Sequence, residues 1–193
     1  IVIDNLKPNT QYHVNIYSND ASLLSSPASF KTFATPGTSV DFKFAVLTDF
    51  GTLWSSQDPV SYKVGTFKAL AAEKPRADFV FLGGDFWHEN LGDDFPKPKD
   101  FRQKNREFFK NMYSLNSPLG DYNDFVKHIL SDYALIHHFD DHDGGINNMN
   151  KLFDKKAITL EVLKDFFPTY PMTPHGDWQK FSYGQVDFFV LDV

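Results

Sequence analysis

The chain has 193 residues, 41% of them apolar, and a net charge of −6 at pH 7. That length holds one large domain, or one domain with part of another, and the charge has the wrong sign for a nucleic-acid-binding face. It contains no cysteine and no run of about 18 apolar residues, which excludes disulfides, thiolate metal ligands and a membrane-spanning helix.

The first segment, IVIDNLKPNTQYHVNIYSND, places Leu6, Pro8, Thr10 and Tyr12 in an L-x-P-x-T-x-Y pattern. Alternation through Tyr12, Val14 and Ile16 has the period of a half-buried strand. A second short strand, SFKTFATP, closes at Pro36. The pair is similar to the last two strands of a fibronectin type III-like sandwich with Tyr12 as its corner tyrosine. Residues 1–36 are read as that sandwich tail and residues 41–193 as part of a second domain. TPGTSV links the two by composition. Both termini read as cut within strands, so the chain is expected to be a piece of a longer protein.

After the linker the rhythm changes. FKFAVLTDF (42–50) and ADFVFLGGD (77–85) are apolar runs of buried-strand type. Between them, Asp58 and Pro59 fit a helix start over 59–73. KDFRQKNREFFKNMYSL (99–115) is amphipathic, with Phe101, Phe108, Phe109 and Met112 toward a core. DYNDFVKHIL (121–130) is expected to be helical, as is Thr159 to Phe167 before Pro168. YALIHHF (133–139) and QVDFFVLDV (185–193) complete the strands. Apolar strands alternating with helices predict an α/β layered fold. Neither phosphate-cradling glycine motif is present.

The first three of these strands each end in acid or in acid with histidine. Asp49 follows the first. Asp85, His88 and Glu89 follow the second, and Asp140, Asp141, His142 and Asp143 the third. Open α/β sheets bind ligands beyond the carboxyl ends of their strands, so residues distant in sequence converge there. Carboxylates that close repel unless a cation lies among them. Oxygen and imidazole suit Mg, Ca, Mn, Fe or Zn. A lone aspartate after a strand is more often a turn former or cap, and DDHDGG also reads as a solvated loop. An EF-hand is excluded, because Phe139 and Asn150 would occupy ligand positions. Of His137 and His138, at most one reaches the cluster, since neighbours on a strand face opposite ways. His142 reads as a ligand if neutral, or as a proton donor if held as a cation by Asp140 or Asp143.

The ordered set FKFAVLTDFG, FVFLGGDFWHEN, HHFDDHDGGINN and FSYGQVDFFVLD resembles the PhoD-like alkaline phosphatases within the calcineurin-like metallophosphoesterases. The resemblance implies a two-metal phosphoric ester hydrolase, monoesterase or diesterase, that uses a metal-bound hydroxide on a small-molecule phosphate ester. It implies Asp49 on one metal, Asp85 bridging both, Asp141 on the second, and Asn148 as a further ligand. His142 would protonate the leaving oxygen. Arg106, or Arg102, would neutralise the phosphate oxygens. The PhoD type carries Cys where Asp49 stands, and Asp there looks more like the purple acid phosphatase pattern. A metal-binding Tyr of the family is replaced by His88. Fe, Ca, Zn or Mn all fit that donor set. Family analogy places such a protein outside the cell or on its surface. Further histidine ligands would follow Val193, so this piece alone is expected to be inactive. A different class of reading is a calcium-binding interaction protein without catalysis.

Overall fold

The computed structural model describes residues 2–23, 27–49, 65–86, 88, 91–114, 122–167 and 178–191. Asp58, Pro59, Glu89 and Pro168, named above, lie outside the described residues.

Near the amino end, β1 (Gln11–Val14) and β2 (Ala28–Lys31) pair antiparallel, with Gln11 opposite Lys31 and Val14 opposite Ala28. The Tyr12 hydroxyl accepts a hydrogen bond from Lys7 N at 2.8 Å, the upstream contact expected of a corner tyrosine. Among the described residues, however, this hairpin pairs with no further strand, and a sandwich is not shown. It is tied instead to the layer that follows. Ser29 N donates to Ser131 O at 2.6 Å, and Lys31 Nζ lies 2.5 Å from Asp78 Oδ1.

That layer is a parallel sheet of β3 (Phe44–Leu47), β4 (Phe79–Leu82) and β5 (Ala134–His137), with β4 central. The register runs Phe44, Phe79, Ala134 at one end and Leu47, Leu82, His137 at the other. α1 (Thr66–Ala72) precedes β4. α2 (Leu91–Asp94), α3 (Pro98–Met112) and α4 (Tyr122–Phe125), which runs into a π-helical turn at Val126–Leu130, lie between β4 and β5. α5 (Asp141–Gly144) and α6 (Lys156–Phe166) follow β5. The strand expected at 185–193 is β7 (Val186–Val190). It pairs antiparallel with β6 (Gln179–Tyr183) in a separate hairpin rather than extending the parallel sheet.

β4 explains the layering. Its side chains alternate between faces, and Phe79, Val80 and Leu82 are all fully buried. Val80 and Leu82 join the helical core with Phe101, Phe108, Phe109, Met112, Leu160 and Leu163. Phe79 points the other way, into a core with Ala34, Ile136, Phe181, Tyr183 and Val190. Its ring stacks on Phe44 at 5.2 Å and meets Phe188 edge-on at 5.6 Å. Truncating so enclosed a phenylalanine costs about 3–5 kcal/mol. α3 follows its periodicity, with Pro98 in its first turn and the four expected apolar residues buried. Among the described residues, no helix is long and apolar enough to cross a membrane.

Candidate metal centre

The sheet ends are level because the strands are in register, and short backbone bonds extend that alignment past each strand. Gly83 N donates to Leu47 O at 2.8 Å, Asp49 N to Gly84 O at 3.3 Å, and His138 N to Leu82 O at 2.8 Å. The chain then turns sharply at two carboxylates. Asp49 and Asp85 have φ of 55° and 53°, a left-handed conformation that Asp tolerates better than most residues. Gly84 is required just before Asp85. Its φ is 95°, and a Cβ there would lie 2.4 Å from Asp140 N, so only glycine lets the β4 and β5 ends approach this closely.

The third strand end is organised by a device that alternation of apolar residues does not reveal. Asp140 caps α5, accepting from Asp141 N at 2.7 Å, and Asp143 closes the reciprocal half of a capping box by accepting from Asp140 N at 3.0 Å. Gly145, with φ of 116°, ends the turn. DDHDGG is therefore a helical turn, not a solvated loop. Asp143 is fully buried and also accepts from Asp85 N at 2.7 Å and Phe86 N at 2.9 Å. One carboxylate thus gathers three amides from two strand ends. Burial pushes its carboxyl well above the usual range, while the Asp140, Phe86 and Asp85 amides pull the other way.

Two groups of side chains result. Asp49, Asp85 and His88 present ligand atoms all within 4.8 Å of one another, and so do Asp85, Asp140 and Asp141. Asp85 belongs to both. His88 Nε2 is 3.5 Å from Asp49 Oδ1 and 3.8 Å from Asp85 Oδ2. The His142 ring meets the His88 ring edge-on at 5.0 Å. Asp141 is held by two amides, His142 N at 2.9 Å and Asn148 N. Asn148 therefore meets this group through its backbone.

The Asp85 carboxyl is pushed up to about 6, first by burial, then by the charges of Asp140 and Asp141, with Asp49 adding to them and His142 opposing. Its Oδ1 is buried with no hydrogen-bond partner among the described residues. A buried carboxylate oxygen without a donor, set among like charges, is a costly arrangement that a cation relieves. The donor set, oxygens with an imidazole, fits a hard or borderline divalent ion on each side of Asp85.

Asp49, Asp85, His88, Asp141 and His142 are thus brought together. Arg106 and Arg102 are not part of this gathering. Arg106 pairs with Asp165 and lies 5.6 Å from the centre of the Phe166 ring, and Arg102 pairs with Glu161. Both bridge α3 to α6. His137 is buried against Phe167, ring centres 4.4 Å apart. Asp140 and Asp143 were visible in the sequence without distinct roles. The D-x-x-D-G-G spacing carried the signal of a capped turn.

The architecture is a mixed α/β fold with a parallel sheet, of the kind found in phosphoesterases. Among solved structures it is similar to the purple acid phosphatase from seeds of yellow lupin (Lupinus luteus), with a TM-score of 0.61 at 15% identity. The likeness covers 97% of this chain and 31% of that one, so the chain spans under a third of that enzyme's length. No family model and no curated protein matches the sequence.

Proposed function

We propose that the chain carries part of a metal-dependent phosphoric ester hydrolase site, built where β3, β4 and β5 end. The observation that supports this most is Asp85. It is shared by two ligand groups and has a buried oxygen without a donor. The fold likeness to a purple acid phosphatase agrees with the reading, and the ordered motifs favour a PhoD-like member of that broad class. On this reading residues 1–36 are the tail of a preceding sandwich and 41–193 belong to the catalytic domain.

Asp49 and His88 would hold one ion, Asp140 and Asp141 the other, with Asp85 between them. Fe, Zn, Mn and Ca all suit these donors. When bound, such ions acidify water and neutralise charge on the phosphoryl oxygens. The residues of the chain supply the rest. Asp143 fixes the direction of the Asp85 backbone. Asn148 N and His142 N orient Asp141. His142 stands beside Asp85 as the group to protonate the departing oxygen.

The test is a pair of variants of the full-length protein. Asp85→Asn is expected to lose bound metal and p-nitrophenyl phosphate hydrolysis together. His142→Ala is expected to keep its metal and lose about 10²- to 10⁴-fold in rate, the range for general acid catalysis. Normal metal content in Asp85→Asn removes the bridging role. Calcium as the sole bound ion, with no hydrolysis by the full-length protein, favours an interaction protein instead.

A further inference from the structure

A cavity of about 570 Å³ opens beside Asp140 and Asp141. That volume lies in the range of small-molecule sites and exceeds what a phosphate group alone would fill. Apolar side chains line it as well. Met149 and Leu152 come from the segment after α5, and Trp178 from the residue before β6. Leu152 is 82% exposed and Trp178 45% exposed. Exposed apolar side chains gathered at one cavity, rimmed by polar groups, are the composition of a ligand-binding groove. The two residues are 26 positions apart in sequence (178 minus 152), so the fold brings them to one cavity. Lys151 adds a cation to the same rim.

We propose that this cavity seats the alcohol portion of the phosphoric ester, and that the preferred alcohol carries a flat aromatic ring. The claim rests on the phosphoesterase reading of the neighbouring carboxylates. Trp178 supplies an indole on which a ring can stack, and Leu152 and Met149 line the same cavity. Lys151 favours a ligand of net negative charge, as a phosphate ester is. Asp140 and Asp141 mark the phosphate end and Trp178 the ring end.

Two non-hydrolysable analogues test this, phenylphosphonate and methylphosphonate, titrated calorimetrically into the manganese-loaded full-length protein. The phenyl compound is expected to bind about tenfold tighter, the low end of the advantage given by stacking one ring. Trp178→Ala should remove most of that advantage and leave methylphosphonate affinity within about twofold. Trp178→Phe should keep it. Leu152→Ala, at a position so exposed that folding is not at issue, should reduce it a few-fold. Equal affinities in the native protein overturn the subsite, as does a phenyl preference that survives in the Trp178→Ala, Leu152→Ala double variant. If neither phosphonate binds, the phosphoesterase reading itself falls, and the subsite with it.

Discussion

The Asp85 backbone N–H donates a 2.7 Å hydrogen bond to the Asp143 carboxylate, across 58 residues of sequence. The side chain of Asp85 is thereby left for a ligand while its backbone is held from behind. Asp143→Asn tests this. An asparagine keeps one acceptor oxygen and turns an NH2 toward at least one of the three amides. Each buried amide left unsatisfied costs about 1–3 kcal/mol. Urea unfolding is expected to show a loss of that size, and metal titration a weaker site in the protein that remains folded.

Metal uptake should depend on pH through Asp85. Its carboxyl titrates near 6 rather than 3.8, so below about 6 a proton competes with the ion. Affinity is expected to fall about tenfold per pH unit below that point and to level off above it. The same shift fixes a sign for the metal-free protein. A raised carboxyl contributes stability below its unfolded value, and this contribution is lost as pH rises from 3.8 through about 6. Metal addition near neutral pH should restore it. Melting curves with and without manganese at pH 4.5 and 7 check both statements.

Gly84→Ala should be among the most damaging small substitutions. The added methyl would meet Asp140 N and Cβ at 2.4 and 2.8 Å in a left-handed backbone. Left-handed strain costs about 1–2 kcal/mol and overpacking about 1–3 kcal/mol more. A lowered melting temperature and reduced metal stoichiometry are the expected outcome. An unchanged metal site would mean the β4 and β5 ends need not be this close.

His137 makes the fold sensitive to acid. Complete burial lowers its pKa from 6.5 to about 3. The unfolded chain therefore binds a proton that the folded one refuses. Stability from this group is whole above about 6.5 and declines as pH falls toward 3, by about 1.4 kcal/mol per unit. His137→Phe keeps a ring against Phe167 and should flatten that part of the pH–stability curve.

Arg106→Ala should leave ester hydrolysis by the full-length protein within about twofold of native. Its guanidinium bridges α3 to α6 through Asp165, and exposed pairs of this kind contribute about 0–1 kcal/mol. A drop of tenfold or more would return Arg106 to the catalytic list.

The strands were legible because FAVL and FVFL are unbroken apolar runs and ALI opens the third, and α3 because its phenylalanines recur at helical spacing. α5 was not, since four residues hold no apolar period and three of them titrate. The same residues supply ligands and caps, so type alone could not separate Asp141 from Asp143. Only burial does that. Arg106 was misleading for the converse reason. A cation on a helix face has no signature of its partner, and Asp165 lies 59 residues away in sequence.

The level register of β3, β4 and β5 has a consequence for how such a protein can change over time. Beyond the turns that carry Asp49, Asp85 and His88, the connections between these strands can lengthen or shorten without moving the carboxylates, because the spacing of the strand ends is set by paired backbones. A single residue inserted within β4 would instead advance Asp85 by about 3.3 Å and reverse its face. Length variation should therefore accumulate in the crossovers beyond the ligand-bearing turns and be purged from twelve strand residues, four in each of the three strands.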